Sequence, residues 1–228
     1  MILKKWEELP DSMRTEEVRP YWEKLNKKRV SLIFKRLLDI LSAIVLLIVL
    51  SPLFIILSIA IKLDSRGPVF YRQERITQYE KIFRIHKFRS MCDGADRKGS
   101  LVTVKGDARV TKVGSVIRRF RLDEVSQLID VLIGNMSFVG TRPEVPKYVA
   151  AYTPEMMATL LLPAGITSTA SIEYKDENEI LDQAQNVDEV YIVQILPEKM
   201  RYNLEDINNF GLIKDITICI KTLGAVFS

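Results

Sequence analysis

Two adjacent carboxylates, Asp123 and Glu124, follow three arginines, Arg118, Arg119 and Arg121. An ionised carboxylate set among cations can attack phosphorus and form an acyl phosphate. Its neighbour can act on a proton or share a divalent cation, and Mg²⁺ prefers one or two carboxylates completed by substrate phosphate oxygens. Downstream, Arg142 precedes Pro143, whose ring holds it extended. Its guanidinium suits either bidentate phosphate binding or a plain surface turn.

These groups need a scaffold. Apolar residues at 117, 120, 125, 128, 129 and 132 recur at mostly helical spacing, which predicts a helix across them. Asp123 fits the N-cap of that helix and Glu124 its first turn. The dipole there favours anions, and backbone donors would meet a phosphoryl group. An acid at an N-cap followed by Glu is also a common structural device, so spacing alone leaves both roles open. The stretch Gly134–Glu144 reads as polar and turn-rich.

Other chemistries lack their residues. The single histidine, His86, makes Ser-His-Asp or Cys-His catalysis improbable and rules out a multi-histidine metal site. On its own, such an imidazole is more often structural than catalytic. Cys92 and Cys219 form no CxxC pair, which argues against a disulfide framework or a zinc site and fits a reducing cytosol. No P-loop or GxGxxG turn is present.

The formal charge of +4 is an average over unlike segments. Residues 62–121 hold sixteen basic and six acidic groups, a net of +10. Residues 122–228 hold seven and sixteen, a net of −9. Between Ile40 and Ile61 no side chain is charged. At about 1.5 Å per residue, a straight helix of that length would cross the ~30 Å hydrocarbon core. Pro52 in its middle removes a donor and clashes with the Ile48 carbonyl, which predicts a kink; Ser51 can bond back to a preceding carbonyl. Basic flanks on both sides suit a re-entrant helix-break-helix that returns to the side it entered from. A kinked single-pass anchor remains the other reading of the same residues.

Residues 1–30 mix Trp6, Leu9, Tyr21, Trp22 and Leu25 with charges, fitting an interfacial helix or one packed on the rest of the chain. Val69–Gln73 and Lys81–Met91 read as two short strands with a turn near Gln78. Residues 93–107 read as a Gly/Asp/Lys-rich loop, and residues 173–190 as a solvated loop and helix. Basic groups interleaved with aromatics around 62–121 admit nucleic-acid binding, but a basic face beside anionic lipid is the better reading.

Five stretches carry a resemblance. They are KRLLDILSAIVLLIVLSPLFIILSIAIKLDSRGPVFYRQER, KIFRIHKFRSM, RVTKVGSVIRRFRLDEVSQLIDVLIGNMSFVGTRPE, LPAGIT and FGLIKDITICIKTL, in this order over about residues 33–225. With them the chain resembles bacterial sugar transferases of the monotopic phosphoglycosyl transferase family, also called undecaprenyl-phosphate sugar phosphotransferases. Pattern and resemblance together give an α+β protein, mainly helical with a small β-hairpin or sheet. Its expected parts are an extension at 1–30, a re-entrant membrane helix at 31–63 and a cytosolic catalytic domain at 64–228.

The resemblance implies that Ser51-Pro52 breaks the re-entrant helix and that Asp123-Glu124 is catalytic. The aspartate attacks the β-phosphorus of a nucleoside-diphosphate sugar, usually a UDP-sugar. UMP leaves, and the phosphosugar then passes from Asp123 to a polyprenyl phosphate. Mg²⁺ binds at the dyad. Lys87, Arg89, Arg142 and Pro143 help form the phosphate site, and Arg118 and Arg121 join them as neighbouring cations. The implied place is the cytosolic face of the bacterial inner membrane, at the start of cell-surface polysaccharide or glycoconjugate synthesis. Membrane lipid is the implied partner, with no nucleic acid, and a homo-oligomer is compatible.

The chain departs from the resembled pattern in three places. Val125-Ser126 stands for Leu-Pro, Thr141 for the first proline of Pro-Arg-Pro, and Ser168 for a glycine. The competing class is a non-catalytic membrane-anchored adaptor of polysaccharide export. Asp215 packs near the site or caps a helix.

Overall fold

The computed structural model describes residues 3–95, 107–174, 181 and 186–227. Of the loop expected at 93–107, residues 96–106 lie outside the described residues, as do 175–180 and 182–185 of the acidic stretch.

Two 3-10 turns (Trp6–Glu8 and Asp11–Met13) lead into three α-helices: α1 (Arg19–Asn26), α2 (Arg29–Val49) and α3 (Ser51–Asp64). Strands β1 (Phe70–Ile76) and β2 (Ile82–Phe88) follow as an antiparallel hairpin, with Arg72 opposite His86 and Tyr71 opposite Lys87. The turn between them contains Gln78, as the sequence suggests, and bends through Tyr79 and Glu80 at positive φ. Next come α4 (Lys112–Arg119), a 3-10 helix (Leu122–Gln127), α5 (Leu128–Ile133) and β3 (Met136–Val139). The rest comprises α6 (Pro146–Val149), β4 (Ala164–Thr167), α7 (Thr169–Glu173), α8 (Val187–Val190), α9 (Leu196–Asn208) and α10 (Leu212–Phe227). The fold is thus mainly helical with small sheets.

One sheet differs from expectation. Met136–Val139, within the stretch read as turn-rich, is a strand paired in parallel with β4. Only four residues long, it shows no clear alternation, and its partner is far along the chain. The two chains then run very close at Gly140 and Gly165. A Cβ on Gly165 would lie 2.1 Å from the Gly140 nitrogen, so only glycine fits there.

The apolar run bends as its proline requires. Helices α2 and α3 meet at 61° across Leu50. Ser51 Oγ donates to the Ile48 carbonyl at 2.8 Å, satisfying an acceptor at the break. Among the described residues no single helix is long and apolar enough to cross a membrane, and this bent pair passes the same test only when taken together.

Helix α2 is inside-out for a water-exposed helix. Its buried stripe is Leu32, Lys35, Asp39 and Ala43, while Leu37, Leu38, Leu41, Val45 and Ile48 are exposed. The buried charges have partners. Lys35 Nζ lies 2.5 Å from Asp215 Oδ2. Asp39 accepts from Ser137 Oγ at 2.8 Å and from the Phe138 N–H at 3.3 Å. Asp215 thus sits in the first turn of α10 as the counter-ion of Lys35.

The core that carries the site joins Ala43 of α2, Phe83 and Ile85 of β2, Val131 of α5, Met136 of β3 and Ala164 of β4. A second cluster seats α3 on β2 and α4 through Leu57, Ile61, Phe88 and Ile117. The N-terminal piece packs inward: Leu3, Leu9, Met13, Val18, Tyr21 and Leu25 are buried against Met157, Leu160, Leu161, Ile207 and Phe210. Trp6 and Trp22 meet edge to face beside that core.

Candidate active site

The expected continuous helix across residues 117–132 is interrupted. Helix α4 ends at Arg119, Arg121 takes a left-handed conformation (φ 51°), and the 3-10 helix starts at Leu122. Packing explains the break. Ile117 and Leu122 both enter the cluster around Phe88. On one α-helix, residues five apart point about 140° away from each other, so both could not face it. The left-handed residue re-aims the chain, a conformation that costs an L-residue roughly 1–2 kcal/mol. Asp123 is therefore not an N-cap as expected: Arg121 holds that position, and Asp123-Glu124 follow inside the 3-10 turn.

Strand β2 and the loop after β3 bring cations to Glu124. Lys87 Nζ lies 3.1 Å from Glu124 Oε1. Arg142 spans both oxygens, with Nη2 on Oε1 and Nη1 3.4 Å from Oε2. Burial alone would raise the Glu124 carboxyl, but Arg142 and Lys87 outweigh it and hold the group far below the usual carboxylate range. Asp123 is different. Burial pushes its carboxyl up, Lys87 opposes that, Glu124 adds to it, and Arg118 is close enough to favour the anion. One acid is a locked anion and its neighbour a less committed one, a division typical of paired catalytic groups.

The other expected residues divide. Lys87 and Arg142 converge on the dyad, and Arg118 acts on Asp123 through its charge. Arg121 shapes the backbone, with its side chain exposed. Pro143 contributes a carbonyl that accepts from Arg75 Nη1 at 2.9 Å. Arg89 is engaged at the end of α3. It is 4% exposed and donates to the carbonyls of Ser65 (2.7 Å) and Arg66 (2.8 Å), just past the end of α3.

Three groups behind the dyad were not singled out for this role. Asp130 is fully buried and accepts from both the His86 N–H (2.8 Å) and the His86 ring Nδ1 (2.9 Å). Arg72 Nη1 meets His86 Nε2 on the far side of the ring. The available signal was Asp130 itself, a lone acid in the apolar run Leu128–Ile133, where a buried charge needs a partner. The departing residues also find uses. Ser126 Oγ lies 3.0 Å from the His86 carbonyl and 3.2 Å from that of Asp123. Ser168 caps α7, accepting from the Ser171 N–H. The Thr141 carbonyl accepts from the Gly165 N–H at 2.9 Å.

Among the described residues no group of three or more His, Cys, Asp or Glu side chains gathers to hold a metal. The donor set at the dyad is two adjacent carboxylates, with Lys87 and Arg142 already bonded to Glu124. That fits Mg²⁺ only where substrate phosphate oxygens and water complete the shell.

The chain matches known proteins over most of its length. The family model described as bacterial sugar transferase matches residues 30–228. A UDP-N-acetylgalactosamine-undecaprenyl-phosphate N-acetylgalactosaminephosphotransferase of Aeromonas hydrophila is 35% identical over 197 residues, 85% of this chain and 44% of that one. A UDP-glucose:undecaprenyl-phosphate glucose-1-phosphate transferase of Escherichia coli is 33% identical over 198 residues, again 85% of this chain and 40% of the relative. A protein of the same name from Caulobacter vibrioides is 30% identical over 198 residues, covering 85% and 70%. The chain spans less than half the length of the first two. Residues 3–26 precede the matched region but share one core with it. On a match that covers most of its length and includes the dyad, the chain belongs to the bacterial sugar transferase family.

Proposed function

We propose that the chain transfers a sugar 1-phosphate from a UDP-sugar to a polyprenyl phosphate through a covalent intermediate on Asp123. The observation that carries this reading is the unequal dyad. Arg142 and Lys87 hold Glu124 as an anion, while the adjacent Asp123 is left as the carboxylate available for attack. An Asp123 oxygen attacks the β-phosphorus, the bond to the bridging oxygen breaks, and UMP leaves with that electron pair. An oxygen of the polyprenyl phosphate then attacks the acyl phosphate and releases the Asp123 carboxylate. Lys87, Arg118 and Arg142 place positive charge where the transferred phosphoryl group gathers negative charge. Mg²⁺, held by Asp123 and Glu124 together with substrate oxygens, would supply further neutralisation there.

The bent pair α2–α3, with its exposed apolar surface, supports a re-entrant seat in one leaflet at the cytosolic face. A polyprenyl phosphate would present its headgroup at that level. The names of the relatives in Aeromonas and Escherichia support the lipid acceptor and the UDP-sugar donor.

A single-turnover experiment tests the reading. Wild-type protein given a panel of UDP-sugars without acceptor releases at most one UMP per chain. Intact-protein mass then rises by one phosphosugar. Asp123→Asn releases none. UMP release at the wild-type rate by Asp123→Asn would refute the covalent assignment.

A further inference from the structure

We propose that Asp130, His86 and Arg72 form a positioning clamp that sets Lys87 against Glu124, and that the clamp holds His86 as the neutral Nδ1–H tautomer. The catalytic half of this inference rests on the function proposed above; the tautomer does not.

The tautomer follows from donors and acceptors. Asp130 Oδ1, 2.9 Å from Nδ1, is an acceptor, so Nδ1 carries the hydrogen. Arg72 Nη1 carries only donors, so the Nε2 it meets must offer a lone pair. A hydrogen on Nε2 would set two donors face to face. Arg72 cannot turn away at no cost, because its Nη2 donates to the Arg84 carbonyl at 2.8 Å. The Phe70 ring packs edge-on against the imidazole at 5.8 Å. Nε2 is therefore engaged by Arg72, which leaves the ring unsuited to shuttle protons for the dyad.

The positioning role follows from what else the clamp grips. Asp130 Oδ2 takes the backbone N–H of His86, so one buried carboxylate fixes both the ring and the main chain of that residue. Lys87 is the next residue, and its Nζ reaches Glu124 at 3.1 Å. On the other side of the same peptide, the His86 carbonyl lies 3.0 Å from Ser126 Oγ, two residues beyond Glu124. Strand β2 and the 3-10 turn are thus joined twice within three residues of the dyad. Losing the ring contact would leave Asp130 with one partner fewer and loosen residue 86 against the turn. Lys87 would then no longer meet Glu124 in one fixed geometry, a kind of misplacement that lowers turnover more than binding.

Because the chain has one histidine, the test reads a single ring. The 228-residue chain labelled with ¹⁵N-histidine, in lipid nanodiscs, should show a protonated Nδ1 and a bare Nε2. A hydrogen on Nε2, or averaging between tautomers, overturns the clamp. In turnover assays His86→Phe, which keeps the ring but no donor, should lose about tenfold in kcat while KM for the UDP-sugar stays within about twofold. His86→Asn, whose amide places an N–H near the position of Nδ1, should recover most of that loss. Wild-type kcat in His86→Phe, or equal losses in both variants, overturns the positioning role. An active Asp123→Asn variant alongside a correct tautomer would sink the covalent reading and leave the hydrogen-bonded clamp intact.

Discussion

Removing Arg142 should damage catalysis more than folding. Its guanidinium holds Glu124 by both oxygens, one contact short and the other 3.4 Å. At an effective dielectric near 20, unit charges about 3 Å apart attract by roughly 5–6 kcal/mol before any costs. The costs are substantial. The Arg142 side chain is 34% exposed and that of Glu124 20%, so solvent screens the pair and each group gives up hydration. A charge-assisted bond in such a setting nets about 1–2 kcal/mol, and at this chain length each kcal/mol moves Tm by roughly 2–4 °C. Arg142→Ala should therefore lower Tm by only a few degrees, because Lys87 still neutralises Glu124. Turnover should fall about a hundredfold, as expected when one fixed donor is taken from a developing phosphoryl charge. With Arg142 gone, burial gains ground on Glu124 and its carboxyl moves up from its depressed value. Arg142→Lys restores charge but not the fork and should recover stability more than rate. Thermal unfolding in nanodiscs and UMP release measure stability and rate. Wild-type kcat in Arg142→Ala would refute the assignment of Arg142 to the dyad.

Two further outcomes follow. Burial raises the Asp123 carboxyl, against the pull of Lys87, so the group stays protonated at pH values where an ordinary aspartate, near about 3.9, has ionised. Only the anion attacks phosphorus. Activity is therefore present above this raised pKa and is lost as pH falls through it, while the stability contribution runs the other way and declines as the buried charge forms. A single-turnover pH profile whose acid limb sits at the ordinary aspartate value counts against this environment. Gly165→Ala should destabilise by about 3 kcal/mol or more, because the new Cβ meets the Gly140 backbone at 2.1 Å. Gly211→Ala, with nothing within 4 Å, serves as the control; equal Tm values for the two would show that the close approach is not obligatory.

What the sequence discloses here is local chemistry. The dyad and Arg142 are candidates by residue type, Lys87 enters through the family resemblance, and the structure brings all four together. The hairpin was legible from alternation, and the bend from Pro52 with the Ser51 back-bond. The rest depends on partners distant in the chain. Periodicity carries the helix straight through Arg121, because it cannot register that Ile117 and Leu122 both join the cluster that contains Phe88. Strand β3 was missed because its parallel partner lies beyond α6. Arg89 enters the expected phosphate site through the resemblance alone, and its contacts with the exit of α3 are visible only once α3 and β2 are side by side. The N-terminal segment had two readings from composition, and the apolar surface of Met157–Leu162 and α9 decided for inward packing.

The buried charges of α2 link the membrane question to the chemistry. Over one turn, about 6 Å at 1.5 Å per residue, the helix sends out three polar ties. Lys35 reaches Asp215 of α10, Arg36 donates to the Val131 and Leu132 carbonyls at the end of α5, and Asp39 holds Ser137 and Phe138 of β3. Helix α5 continues from the 3-10 turn that carries Asp123 and Glu124, and β3 leads to the loop that carries Arg142. The elements that carry Glu124 and Arg142 are therefore fixed to the same turn of α2. Burying charge in this way is expensive unless every partner is in place, which favours one arrangement of the helix over many similar ones. On the proposed reading, the depth at which α2 and α3 seat in the leaflet also sets the height of the dyad. The nucleophile would then be presented at the level of a lipid phosphate with no separate docking motion required.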